Sequence, residues 1–172
     1  MSKVVPERPF LAAQAFNILW NNLRCKKPLL ASFKLTYKCN LRCLQCPFCS
    51  LEAEDRSFDE ILTSLDELYV RGNRIVIFEG GEPTLWRDGK HDIQDVLQYA
   101  RSLFYAVGMT TNGTHPLDLP ADVIWVSIDG FEHTHNQLRG ADIYQRILTN
   151  VRNSSHPKLF AHITVNAVNA AE

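Results

Sequence analysis

The sequence is nearly without net charge: 18 Lys and Arg stand against 19 Asp and Glu, leaving −1. Bulk electrostatics therefore point to neither nucleic acid nor an anionic membrane, and no nucleic-acid partner is expected. Long apolar runs are absent too. The most apolar early stretch, Phe10 to Trp20, is broken by Gln14 and Asn17 and is too short to span a bilayer, so no transmembrane segment is expected. The first residues lack the basic head and apolar run of a secretory signal. No low-complexity tract or Pro/Gly/Ser linker divides the chain. Cysteine is scarce outside one place: of five, four lie between positions 39 and 49, and the other is Cys25. An odd count in a chain that reads as cytoplasmic argues against a disulfide framework and for metal binding or chemistry. Cys25 reads as a small apolar filler.

What is present is the composition of an ordinary globular protein, 45% hydrophobic and 22% charged over 172 residues, long enough to bury a core. Glu7 to Arg24 has an approximate helical apolar face, expected to dock against the protein's own core. This N-terminal helical segment occupies residues 1–30, and residues 31–172 form the core domain. There, strand and helix alternate. Strands are expected at 31–37, 74–79, 105–110, 122–128 and 158–165, and helices at 57–72, 92–104 and 141–154. Ser57 with Glu60 forms a capping box at the first of those helices, and Gly72 stops it. The stretch 114–122 has room only for a short turn or distorted helix. Such alternation implies an α/β fold with parallel strands and right-handed crossovers.

Ligands in parallel α/β folds bind beyond the carboxyl ends of the strands. The special residues of this chain fall there, strand after strand. Cysteines follow the first strand, and Gly80-Gly81-Glu82-Pro83 the second. Thr111-Asn112-Gly113 follow the third, Ser127 and Asp129-Gly130 the fourth, and Asn166 the fifth. If the strands are parallel, all five groups share one face.

Cys39, Cys43, Cys46 and Cys49 suit an iron–sulfur cluster or a structural zinc, although zinc sites more often use two separated pairs. The two glycines of "GGEP" permit close backbone approach to a ligand, or merely shape a βα loop. Asp129 is placed to accept from ribose hydroxyls or to cap a helix. His133 and His135 read as solvated loop histidines. Arg139 is a candidate for gripping a carboxylate, or a surface arginine at a helix entry.

Cys39-x-x-x-Cys43-x-x-Cys46 after a strand, then Gly80-Gly81-Glu82-Pro83 after the next, resembles the radical S-adenosylmethionine (radical SAM) superfamily. The likeness continues through "TTNGT", "VSIDG" and "LRG", covering about residues 31 to 166. It looks most like the branch with peptide maturases and molybdenum-cofactor synthesis enzymes. The resemblance implies a partial (βα) barrel with about five of the usual six βα units. It implies a [4Fe–4S] cluster on Cys39, Cys43 and Cys46, with the fourth iron left for S-adenosylmethionine. An electron donor such as a flavodoxin or ferredoxin would drive cleavage to methionine and a 5′-deoxyadenosyl radical. That radical attacks a small-molecule, lipid or peptide substrate that the sequence does not choose.

By the same resemblance, Gly80, Gly81, Glu82 and Pro83 contact the cofactor's amino group, and Ser127 and Arg139 hold its carboxylate. Asp129 lies near the ribose, Asn112 at the rim, and Asn166 toward ribose or adenine. There are departures. Gln45 stands where an aromatic residue is usual, Cys49 is extra and read as a non-ligand, and the chain stops just past the fifth strand. The exposed edge of that strand is expected to be covered by a partner chain, a dimer mate or a further segment. A non-catalytic cluster-binding remnant and a zinc-stabilised binding module are the alternatives.

Overall fold

The structure, a computed structural model, describes residues 12–48, 51 and 53–172. The expected helix start at residues 7–11 and the fourth clustered cysteine, Cys49, lie outside the described residues. Five parallel strands form one sheet: β1 (Leu30–Thr36), β2 (Ile75–Gly80), β3 (Ala106–Thr111), β4 (Val123–Ser127) and β5 (Leu159–His162). Their spatial order follows the chain order, β1 to β5. A doubly wound sheet reverses order at a switch point, whereas a barrel wall does not.

The helices are α1 (Ala12–Cys25), α2 (Phe58–Arg71), α3 (Ile93–Leu103), α4 (Glu132–Arg139) and α5 (Tyr144–Asn153). One face of the sheet packs against α2, α3 and α5. Val76, Phe78, Val107, Met109, Ile124 and Val126 alternate along their strands and are buried against Ile61 and Leu65 of α2, Val96 and Leu97 of α3, and Ile147 of α5. The helical spacing of those side chains is why the helices form where they do. Ser57 and Glu60 make the expected capping box, and Gly72 closes α2 in the left-handed region. Asp92 caps α3 in the same reciprocal way with Asp95. Between β3 and β4 there is no helix among the described residues. Leu117, Leu119 and Ala121 fill the layer instead.

Three expectations are corrected. The apolar face of α1 is only partly covered: Ala15 and Ile18 are half-buried, but Leu19 is 47% and Leu23 68% exposed. The helix is tied down by a polar residue, Asn22, whose Nδ2 donates to Gly72 O at 2.7 Å and Pro28 O at 3.2 Å. Second, the segment expected as a loop around His133 and His135 is helix α4, and α5 starts at Tyr144, not at 141. Helix α4 carries Leu138 as its one buried large hydrophobic, so it shows no apolar period. Third, β5 ends at His162 because Thr164 N–H turns away to Asp129 Oδ1 at 3.1 Å.

Candidate active site at the carboxyl ends of the strands

The chain leaves β1 at Thr36 and lies directly on the β2 turn. Gly81 N–H donates to Thr36 O at 2.7 Å and Glu82 N–H to Lys38 O at 2.8 Å. A Cβ on Gly81 would lie 2.2 Å from Lys38 O, and one on Gly80 would lie 2.3 Å from Thr36 O. Gly80 also has φ +135, in the region that disfavours side chains. Two glycines are therefore required here by the backbone itself.

Cys39, Cys43 and Cys46 are half-buried free thiols on the wall of one cavity. Leu41 N–H reaches Cys39 Sγ at 3.4 Å, and Asn112 Nδ2 lies 3.9 Å away. Cys46 N–H closes a turn onto Cys43 O at 3.1 Å, and Leu44 N–H anchors the loop to Leu138 O of α4 at 2.8 Å. Burial pushes the Cys39 thiol above its ordinary value, with the Leu41 bond opposing. Burial also raises Cys43, with the Arg139 cation opposing. Among the described residues no three His, Cys, Asp or Glu side chains are gathered to hold one metal ion. A cubane gives each thiolate its own iron, so its ligands need not converge on one point. The donor set of three thiols on one wall fits the cluster.

Behind the cavity lie two buried carboxylates. Glu82 is fully buried. Its Oε1 accepts from Thr84 Oγ1 and Thr111 Oγ1, each at 2.7 Å, and its Oε2 accepts from Asn112 N–H at 2.7 Å. Asn112 in turn donates to Asn40 Oδ1 at 2.8 Å, so Glu82 braces the cysteine loop through the β3 turn. Asp129 is also fully buried. Its Oδ2 accepts from Arg139 Nη2 at 2.8 Å and Gln45 Nε2 at 2.6 Å. Its backbone N–H donates to His135 Nδ1 at 3.1 Å. Arg139 Nη1 then faces Cys43 Sγ at 3.8 Å.

The structure thus brings together Cys39, Cys43, Cys46, Gly80, Gly81, Asn112, Ser127 and Arg139 on the cavity wall. Glu82, Pro83 and Asp129 stand outside that lining. Glu82 and Asp129 spend their oxygens on protein donors, which is why neither meets the cavity, and Pro83 opens the single 3-10 turn Pro83–Leu85. Asn166 is likewise absent from the wall. It shapes the following turn, where its Oδ1 accepts from Val168 N–H at 2.8 Å and its N–H donates to Asn169 Oδ1 at 2.7 Å. His162 and Thr164 take that part of the wall. His135 is fully buried, not solvated, while His133 is exposed. Sequence reasoning missed His162, Thr164 and the role of His135. Placement at the end of β5 was a usable signal for His162, but nothing local marks the other two.

A family model for the radical SAM superfamily matches residues 33–159. The Fe-coproporphyrin III synthase of Methanosarcina barkeri is 29% identical over 129 residues, 67% of this chain and 30% of that protein. The sporulation killing factor maturation protein SkfB of Bacillus subtilis is 27% identical over 158 residues, 84% of this chain and 38% of that protein. The solved structure of native anSMEcpe with bound AdoMet and Cp18Cys peptide superposes with TM-score 0.61 at 22% identity, covering 79% of this chain and 42% of that one. Streptococcus suis SuiB bound to precursor peptide SuiA gives TM-score 0.59 at 16% identity, covering 88% and 38%. The structural likenesses show the fold, a radical SAM partial barrel. The chain belongs to the radical SAM superfamily. It spans 30% and 38% of the lengths of these two curated relatives. No described helix is long and apolar enough to cross a membrane.

Proposed function

We propose that this chain carries the radical-generating site of a radical SAM enzyme. Cys39, Cys43 and Cys46 would hold a [4Fe–4S] cluster, and S-adenosylmethionine would lie in the same cavity. The observation that carries the reading is that the three thiols share one wall with Gly80, Gly81, Ser127 and Arg139. When bound, the pair supplies one-electron chemistry. With a reduced flavodoxin or ferredoxin as electron donor, that chemistry would be reductive cleavage of S-adenosylmethionine.

The chain's own residues have distinct tasks. The cysteines must shed protons that burial makes them keep, and the Arg139 cation favours the thiolate of Cys43. Gly80 and Gly81 keep the β2 turn free of side chains, so backbone can meet the ligand. Ser127 offers a hydroxyl, Asn112 sits at the rim, and Arg139 supplies a guanidinium for a carboxylate. Glu82 and Asp129 do not touch the ligand but hold Asn112 and Arg139 in place. A peptide is the favoured substrate class, on the likeness to SkfB, a sporulation killing factor maturation protein.

The test is anaerobic iron–sulfide reconstitution, reduction with dithionite, and chromatography for 5′-deoxyadenosine and methionine. Both products are expected in equal amounts. A loaded, reduced protein that binds S-adenosylmethionine without cleaving it overturns the reading in favour of a non-catalytic remnant. Stoichiometric zinc without iron after anaerobic purification favours the binding module. Cys43→Ala is expected to lose the cluster, and Cys49→Ala to keep it.

A further inference from the structure

Helix α1 presents two faces. Ile18 and Asn22 lie on the side turned to the protein, where Asn22 Nδ2 donates to Gly72 O at 2.7 Å. The other side carries Phe16, Leu19, Trp20 and Leu23, spaced i, i+3, i+4 and i+7 as one helical stripe. These four are 65%, 47%, 56% and 68% exposed, and the rings of Phe16 and Trp20 stack at 6.2 Å. A contiguous apolar stripe on a surface marks an interaction site. The end of this one is basic. Arg24, Lys26 and Lys27 are exposed, and among the described residues no carboxylate pairs with them, whereas Lys34 pairs with Glu79 and Lys38 with Asp55. The near-zero net charge of the whole chain conceals this asymmetry, since residues 8 to 51 include no Asp or Glu.

Aromatic and aliphatic side chains along one helical face, with cations at its end and no anion, match the boundary of an anionic bilayer. We propose that α1 is a membrane-surface helix: Phe16, Leu19, Trp20 and Leu23 enter the headgroup region of an anionic bilayer, and Arg24, Lys26 and Lys27 meet its phosphates. A second copy of the chain fits less well, because its α1 brings no carboxylate to answer the cations. At 14 residues the helix lies on the bilayer and does not cross it. Its place in the fold suits this. The Lys27 side chain lies over Gly72 at the end of α2, and Leu29 O accepts from Arg74 N–H at 2.8 Å, at the amino ends of β1 and β2. The cysteines stand at the opposite, carboxyl ends, so a docked bilayer leaves their cavity clear.

The test is co-sedimentation of the full chain with vesicles of phosphatidylcholine alone, or of equal parts phosphatidylcholine and phosphatidylglycerol. Binding to the mixed vesicles is expected to be about a hundredfold tighter, and added salt is expected to weaken it. Arg24→Gln/Lys26→Gln is expected to lose about thirtyfold. Phe16→Ser/Trp20→Ser is expected to lose more than about tenfold, from the apolar area no longer inserted. Circular dichroism verifies that each variant is folded. Mixed vesicles are also expected to shift tryptophan emission to the blue, and Trp20→Phe to abolish the shift while keeping the binding. Equal binding to both kinds of vesicle, binding to neither, or binding unchanged in either double variant overturns the proposal. A dimer broken by Phe16→Ser/Trp20→Ser, seen by sedimentation in place of vesicle binding, overturns it in favour of a second copy. None of these readouts depends on a cluster or on S-adenosylmethionine, so this proposal and the radical SAM reading fail separately.

Discussion

Asp129 Oδ2 lies 2.8 Å from Arg139 Nη2, inside a pair whose carboxylate has no exposure to solvent. The same guanidinium faces Cys43, so a residue at the end of β4 aims a cation at a thiol of the loop after β1. Removing the carboxylate strands a nearly buried charge. Asp129→Ala is expected to lower stability by about 3–5 kcal/mol. Urea unfolding checks the loss, and the iron retained after reconstitution is expected to fall with it.

Glu82 ties together segments that are far apart in sequence. Glu82→Gln replaces an oxygen that accepts by a group that donates, setting one N–H against another or against a hydroxyl. The expected cost is about 2–4 kcal/mol, from losing bonds to a charged, buried acceptor. Because Asn112 loses its anchor, the variant should also reconstitute less cluster than a surface control such as Glu67→Gln. Thermal melts and iron assays on both proteins test this.

Gly81→Ala inserts a methyl against Lys38 O, a backbone atom that cannot swing aside as a side-chain tip can. The expected loss is about 3 kcal/mol or more, from overpacking against backbone. Gly89→Ala is the control, since nothing lies within 4 Å of its added Cβ, although its φ of +55 carries a smaller cost of its own. Paired denaturation curves should separate the two variants clearly.

Helix α1 supplies a test that runs against the usual hydrophobic ranking. Trp20 is more than half exposed, so Trp20→Ala should change stability by less than about 0.5 kcal/mol. Asn22 is buried and holds Gly72 O and Pro28 O. Asn22→Ala is expected to cost about 1–3 kcal/mol, because both carbonyls lose their donor. A larger effect at Trp20 than at Asn22 would show that the apolar face is covered in solution.

His135 makes stability depend on pH. Burial holds it below its ordinary value, the Arg139 cation adds to that, and Asp129 opposes. The unfolded chain, with an ordinary histidine near about pH 6.5, therefore takes up the proton first as pH falls. This contribution is complete above that pH and is lost as pH drops through the folded value. Melting temperatures from pH 8 to 5 should decline on the acid side, and less steeply in His135→Phe.

The strands and most helices were legible because their signals are local. Continuous apolar, β-branched runs mark β2 and β4, apolar residues recur at helical spacing in α2 and α3, and Ser57 and Gly72 bound α2. Helix α4 was not legible, since it is polar along most of its length and leans on Leu138 and His135. Cys39, Cys43, Cys46, Gly80, Gly81, Asn112, Ser127 and Arg139 stand around one cavity. Asn166 lies off that wall, because the chain leaves the ladder at Thr164, whose N–H donates to Asp129.

By itself the sequence determined that five parallel strands would present their polar ends together, with a run of thiols at the first. Apolar strand runs and a helical period of 3.6 are written into neighbouring residues, so no distant contact is needed to read them. Only the tertiary structure decided that Glu82 and Asp129 turn away from the cavity while Gln45 and Arg139 turn toward it. The partners that make those choices lie 30 residues away for Glu82 and Asn112, and 84 away for Gln45 and Asp129. A buried carboxylate goes where its donors are, and the fold sets where those donors stand.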